Sequence, residues 1–155
     1  MKTINIHASC VAIGARGVLI LGESGAGKSD LLLRLMDEGA RLVADDRTEL
    51  AVAKGRVVAR APKSIAGLME VRGLGIISQP FAESVALGLA VRLGEATRLP
   101  EPTFYVPPEG LGPIKPVPLI VLDGRMASAS ARIRLALKAF SRGLFREDVN
   151  RNNAK

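Results

Sequence analysis

The sequence predicts an α/β fold in which a mixed sheet is built around a phosphate-binding loop. Three observations predict it. The short apolar run 18–21 leads directly into Gly22-Glu23-Ser24-Gly25-Ala26-Gly27-Lys28-Ser29, and a stretch with helical apolar spacing follows. A second apolar run, 41–46, closes that unit and ends in two acids. Strand-like alternation recurs on both sides of the unit, so hairpins accompany the loop-and-helix crossover and the sheet is mixed.

In chain order, residues 2–7 and 9–13 read as strands, 14–17 as a turn and 18–21 as a short buried strand. Over 29–38, Leu31, Leu32, Leu35 and Met36 share one helical face, and Gly39 stands where a left-handed C-terminal cap belongs. Residues 41–46 are the next buried strand, expected to lie parallel beside the strand that precedes the loop. Runs 48–53 and 56–61 flank Lys54-Gly55, a hairpin in which glycine supplies the positive φ. Residues 85–93 read as another strand. Seven of the nine prolines fall within 99–118, which predicts an irregular surface connection. A last strand is expected at 119–122. In the helix predicted over 127–140, Ala129, Ile133, Ala136, Leu137 and Phe140 make one packing face. Residues 1–145 are read as one domain, and 146–155 as a polar, frayed tail.

Composition narrows the function classes. With 48% hydrophobic and 24% charged residues, a disordered chain is excluded. The apolar runs are far too short for a membrane helix and there is no signal-like h-region, so a cytoplasmic protein with no membrane association is expected. Cys10 is the single cysteine, which excludes an internal disulfide, and it reads as a small core residue. A net charge of +7 raises the question of nucleic acid, but the cations are spread along the chain. Aromatics for base stacking make up only 3%, so no nucleic-acid partner is expected. The basic surface suits an acidic protein partner and nucleotide phosphates.

Residues 22–29 match G-x-x-x-x-G-K-S in full. Gly22, Gly25 and Gly27 let the backbone wrap so that the N–H groups of the loop, those of Glu23, Ser24 and Ala26 included, can face phosphate oxygens. The helix that opens behind them aims its positive dipole end at the same place. Lys28 would reach the β- and γ-phosphates, and the Ser29 hydroxyl would ligate Mg²⁺. Nucleoside triphosphate binding is the firmest inference from these residues.

Phosphoryl transfer to a hydroxyl also needs a metal-holding group and a base. Asp45 and Asp46 end the strand after the helix and are the candidates. Neighbouring residues on a strand point to opposite faces, so one would look into the site and the other would be structural unless the chain turns there. An acidic turn is the alternative. In Leu68-Met69-Glu70-Val71-Arg72-Gly73-Leu74-Gly75-Ile76-Ile77, a loop could present Glu70 to a metal and Arg72 to phosphate charge. A strand ending in a surface ion pair and a glycine turn explains the pattern equally well.

Taken together, the blocks 17–29, 41–46 and 70–77 resemble the catalytic domain of HPr kinase/phosphorylase, the bacterial enzyme that modifies a serine of the phosphocarrier protein HPr. Glu70-Val71-Arg72-Gly73-Leu74-Gly75-Ile76-Ile77 looks like that family's E-I-R-G-L-G-I-I signature with one Ile changed to Val. The resemblance implies a fold similar to the phosphoenolpyruvate carboxykinases, with ATP and Mg²⁺ as cofactors. It implies that Lys28 is the loop lysine, that Ser29 and Glu70 are Mg²⁺ ligands, and that Arg72, Gly73 and Gly75 belong to the signature loop. Asp46, the second acid, matches the catalytic base and would act as proton donor in the reverse, phosphate-consuming reaction. His7 sits where the family keeps an active-site histidine. Arg98 falls near a catalytic arginine, although Pro100 departs from the Arg-Leu-Gly pattern; Arg92, in Val91-Arg92-Leu93-Gly94, is the rival.

The activity implied is ATP-dependent phosphorylation of a serine on HPr or its nitrogen-branch counterpart, within a homo-oligomer that the family suggests is a hexamer. Two departures bear on this. The chain starts almost at the catalytic domain, as in short alphaproteobacterial forms. The proline-rich stretch after Pro100 also lacks a clear match to the segment that longer members need for phosphorolysis, Gly124-Arg125 being the nearest trace. Reading the residues without the resemblance leaves a small-molecule phosphate-loop kinase or a non-catalytic ATP-binding regulatory protein as alternatives.

Overall fold

The computed structural model describes residues 2–146. The predicted polar tail therefore lies, apart from Arg146, outside the described residues. The elements run β1 (Ile4–His7), β2 (Ser9–Ile13), β3 (Arg16–Leu21), α1 (Lys28–Asp37), β4 (Arg41–Ala44), β5 (Arg47–Ala53) and β6 (Arg56–Arg60). After a 3₁₀ turn at Lys63–Ile65 come β7 (Leu68–Val71), β8 (Gly75–Ser78), β9 (Val85–Leu93), β10 (Leu119–Leu122) and α2 (Ala129–Arg142). Among the described residues, no helix is long and apolar enough to cross a membrane.

Eight strands form one mixed sheet in the order β1-β5-β6-β9-β3-β2-β4, with β10 added on β9. The long strand β9 organises it. On one edge β9 pairs parallel with β3; on the other, β6 pairs antiparallel with its start and β10 parallel with its end. Two strands sharing one edge split the sheet there, and a register shift at Gly17/Val18 adds local twist, so the sheet curls. Gly88 lies at that irregularity, where a Cβ would stand 3.0 Å from Leu137 and 3.2 Å from Arg16.

Curling divides the core in two. Alternation along β2 and β3 sends Val11, Val18 and Ile20 to the face covered by Leu31, Leu32 and Leu35 of α1 and Ile133 and Leu137 of α2. Cys10 and Leu19 face the other way, with Val43, Leu50, Val57 and Tyr105. Burial pushes the Cys10 thiol far above its ordinary range, which keeps it an unreactive core residue. Helix α1 ends as its sequence predicts: Gly39 adopts φ +110°, and the N–H groups of Gly39 and Ala40 bond back to Met36 and Leu35. In the β5–β6 turn, Lys54 and Gly55 both take positive φ, 53° and 76°.

Two expectations are corrected. β4 does not lie beside β3: it pairs antiparallel with β2, and β2 pairs antiparallel with β3. The tight β2–β3 hairpin occupies that edge of β3, and two antiparallel steps leave β3 and β4 pointing the same way. Their C-terminal ends still meet at one margin of the sheet. The proline-rich stretch is irregular, but it is not only a surface connection. Tyr105 and Val117 are buried and joined by a backbone hydrogen bond of 2.8 Å, and Lys115 N–H reaches the Gly55 carbonyl at 2.7 Å. The prolines remove donors, and the remaining N–H groups strap the segment over the curled face.

Residues 68–78 form a separate hairpin, with Met69 opposite Ile77 and Glu70 opposite Ile76. Its base depends on Gly67, whose φ is +76° and whose absent Cβ would lie 2.8 Å from the Phe81 ring and 3.1 Å from the Gln79 carbonyl oxygen. Gly67→Ala is expected to lose about 1–3 kcal/mol of stability through backbone strain and crowding, read as a lower denaturation midpoint. An unchanged midpoint would show that the hairpin base does not need this conformation.

Candidate active site

The loop between β3 and α1 is shaped by glycines at two positive-φ positions, Gly25 at 84° and Gly27 at 95°. The Ala26 N–H closes a turn on the Glu23 carbonyl at 3.0 Å. Gly27 is the N-cap of α1 and offers no side chain to it, so the first-turn N–H groups and the positive helix end face outward. Lys28 is only 6% exposed, and its Nζ donates to the carbonyls of Gly22 at 2.6 Å and Glu23 at 3.0 Å. Those two bonds hold a cation inside the loop.

Strand β4 ends at Ala44, two residues short of the predicted run, because the chain bends at the two acids. Asp46 takes φ +69°, a conformation that Asp tolerates better than most residues. That turn separates the acids. Asp45 is 8% exposed and points inward, where Oδ1 accepts from Ser29 Oγ at 3.2 Å and Ser9 Oγ at 3.5 Å, and Oδ2 from Glu70 N–H at 3.1 Å. It ties the loop serine, β2 and β7 together. Asp46 swings outward, and its Oδ1 lies 2.8 Å from His7 Nε2. Ser9 Oγ in turn accepts the Asp46 N–H at 3.0 Å.

Burial raises the Asp45 carboxyl above the ordinary carboxylate range, a shift opposed by the Glu70 N–H and the two serine hydroxyls and reinforced by the nearby Asp46 charge. A raised native pKa means that the folded state holds this proton to higher pH than the unfolded chain. The stabilisation is full below the unfolded pKa and is lost as pH rises through the native one. Measured without metal, the melting temperature of wild type relative to Asp45→Asn is therefore expected to climb as pH falls from neutral through that window. Parallel pH profiles for the two proteins would contradict it.

A cavity of about 620 Å³ opens between these elements. The structure brings His7, Ser24, Gly25, Gly27, Lys28, Ser29, Asp46, Glu70 and Arg72 together on its wall. Met69 and Val71 line it as well, through the same hairpin. Gly73 and Gly75 form the exposed hairpin turn, with φ of 89° and 110°. Arg98 and its rival Arg92 do not line this cavity. β9 ends at Leu93 and residues 94–98 that follow are exposed, while Arg92 lies close enough to the buried Tyr105 hydroxyl to oppose the rise that burial causes there. Ser9 is a site residue that pattern reading passed over. Its only signal is a fully buried hydroxyl in an otherwise apolar strand.

Among the described residues, no group of three or more His, Cys, Asp or Glu side chains is arranged to hold a metal. Mg²⁺ in nucleotide sites needs no such cage, since one or two protein oxygens and phosphate oxygens suffice. Ser29 and Glu70, both on the cavity wall, supply oxygens of that kind.

Residues 1–83 match the family described as the HPr Serine kinase C-terminal domain. Over 72 residues, the chain is 46% identical to the HPr kinase/phosphorylase of Clostridium beijerinckii, covering 46% of this chain and 24% of that protein. Over 75 residues, it is 44% identical to the HPr kinase/phosphorylase of Clostridium tetani, covering 48% and 25%. The match thus spans about a quarter of the length of these curated relatives. The solved structure of the Hpr(Ser) kinase/phosphatase from Coxiella burnetii is similar across the fold. Its TM-score is 0.74 at 26% identity, over 91% of this chain and 98% of that one.

Proposed function

Because this chain belongs to the HPr Serine kinase C-terminal domain family, we propose that it is a kinase moving the γ-phosphoryl group of ATP to a seryl hydroxyl of HPr or its nitrogen-branch counterpart. One observation carries the reading above all. Asp46, paired with His7 at 2.8 Å, shares one cavity wall with Lys28 and Ser29 of the glycine loop. A base and a phosphate-binding loop facing the same space are what in-line transfer to a hydroxyl requires.

In this reading residues 1–145 act as one catalytic domain, and residues 22–29 are a phosphate loop in a fold akin to the phosphoenolpyruvate carboxykinases. Triphosphate oxygens draw Lys28 Nζ away from the Gly22 and Glu23 carbonyls, while the free N–H groups at the start of α1 receive the remaining charge. Ser29 and Glu70 would hold Mg²⁺, which when bound neutralises phosphate charge. Asp46 takes the proton of the seryl hydroxyl as its oxygen attacks the γ-phosphorus and ADP leaves. His7 keeps the Asp46 carboxylate turned to the acceptor, and Arg72 offers charge-assisted hydrogen bonds at the cavity rim. In phosphorolysis inorganic phosphate, in place of ADP, would take the phosphoryl group from the phosphoserine to give pyrophosphate, and Asp46 would donate the proton to the departing serine oxygen. The proposal assigns no step to Arg98 or Arg92.

The side chain of Asp46 is 66% exposed, and access of that kind suits an acceptor serine carried by another protein. The direct test is the intact mass of HPr after incubation with this protein, ATP and Mg²⁺. A single phosphoryl group on a serine is expected. Unmodified HPr alongside demonstrated ATP binding would overturn the acceptor and favour a small-molecule kinase or a regulatory ATP-binding role.

A further inference from the structure

The turn at residues 123–126, between β10 and α2, lies beyond the stretch that matches the family, yet it packs against the glycine loop. Gly124 is buried there, and a Cβ on it would stand 3.0 Å from Leu93. Gly22, the first loop residue, packs on the same leucine, at 3.3 Å by the same measure. Asp123 Oδ1 accepts the Arg125 N–H at 2.9 Å and shapes the turn. From it the Arg125 side chain crosses the loop, passing 4.0 Å from where a Gly27 Cβ would be, and Nη2 donates to the Gly25 carbonyl at 3.1 Å.

A second arginine holds the turn from below. Arg34, on α1, donates through Nη1 to the Met126 carbonyl at 3.0 Å and through Nη2 to the Gly124 carbonyl. Its Nε lies 3.2 Å from Asp30 one helical turn earlier, an ion pair along α1. The contacts close a ring: the loop enters α1, α1 carries Arg34, Arg34 clamps the turn, and the turn returns Arg125 to the loop. Arg125 is not on the cavity wall, so it braces the loop from behind.

We propose that Arg125 is a positioning residue of the glycine loop, kept on the Gly25 carbonyl by the Arg34 clamp, and that this brace pre-shapes the loop for triphosphate. The inference rests on the phosphate-loop reading above. Gly25, at φ +84°, is a loop residue whose backbone no side chain restricts. An unbraced loop must be ordered when ligand binds, and that ordering weakens affinity. A brace formed before binding removes that penalty without touching the reacting atoms.

The test measures ATP affinity, kcat and melting temperature for wild type, Arg125→Met, Arg125→Lys, Arg34→Met and the double variant R34M/R125M. Arg125→Met is expected to weaken ATP binding about fivefold to tenfold, the scale of one charge-assisted hydrogen bond. Its kcat at saturating ATP and its melting temperature should stay unchanged, because the side chain is exposed and outside the cavity. Arg125→Lys keeps a donor and should lose less. The double variant should bind no more weakly than the poorer single variant, since both act through one ring. ATP binding undiminished in Arg125→Met, or fully additive losses in the double variant, would overturn the brace. Wild type that fails to bind ATP would instead sink the phosphate-loop reading, and the brace with it, before any variant is compared.

Discussion

Asp46→Asn is expected to lower transfer to a seryl acceptor by about 10²–10⁴-fold while leaving ATP affinity unchanged. The substitution is a clean probe because of where the residue sits. Asp46 holds φ +69°, and Asn is the other side chain that adopts this region readily, so the bend after β4 survives. The bond from the Asp46 N–H to Ser9 Oγ uses only the backbone of residue 46 and is kept, and the amide of Asn can still meet His7. What disappears is a carboxylate able to accept the hydroxyl proton. A loss confined to kcat, read by the mass of the phosphorylated acceptor at saturating ATP, is the signature of a base. Transfer at wild-type rates would remove Asp46 from that role. Asp45 could not simply take over, because its two oxygens are committed to Ser29, Ser9 and Glu70 N–H in a buried position.

Lys28→Ala is expected to act on binding first, weakening ATP by about a hundredfold and abolishing transfer with it. Lys28 is nearly buried, and its ammonium group joins two carbonyls of its own loop across a span of six residues. Removing it deletes the cation that would meet the triphosphate and leaves the Gly22 and Glu23 carbonyls without that donor. Lys28→Arg is not expected to rescue, because a planar five-donor fork does not replace a compact ammonium between two carbonyls. Titration of ATP into the variant, with circular dichroism showing an intact fold, separates lost binding from lost structure. Near-normal ATP affinity in Lys28→Ala would contradict the phosphate-loop reading. The two variants thus divide the site into a binding half and a transfer half.

Much of this protein is written in short-range patterns. The eight-residue loop, the amphipathic α1 with its Gly39 cap, the Lys54-Gly55 turn and the paired acids each depend on spacing within a few residues. Local backbone preference and hydrophobic periodicity favour such features at short range. The strand order was beyond that reach. Nothing in residues 41–46 says that β2 intervenes between β3 and β4, because that depends on the pairing of β2 with both, set outside those residues. Nor could alternation say which acid faces the cavity. The positive φ at Asp46 decided it, held by a hydroxyl from β2, 37 residues away.

The same limit explains the arginines. Arg98 and Arg92 stand near a familiar short pattern, but neither lines the cavity, although Arg92 pairs with Leu21 just before the loop. Arg125 carries only the Gly124-Arg125 trace, which points to no loop contact, and it reaches a loop 100 residues earlier because the curled sheet brings the turn before α2 against Leu93. Short-range spacings along the chain put the chemistry in place: a lysine, a serine, two acids and a histidine. Which of them converge follows from strand order and sheet curvature, properties of the whole core that bring together side chains distant in sequence.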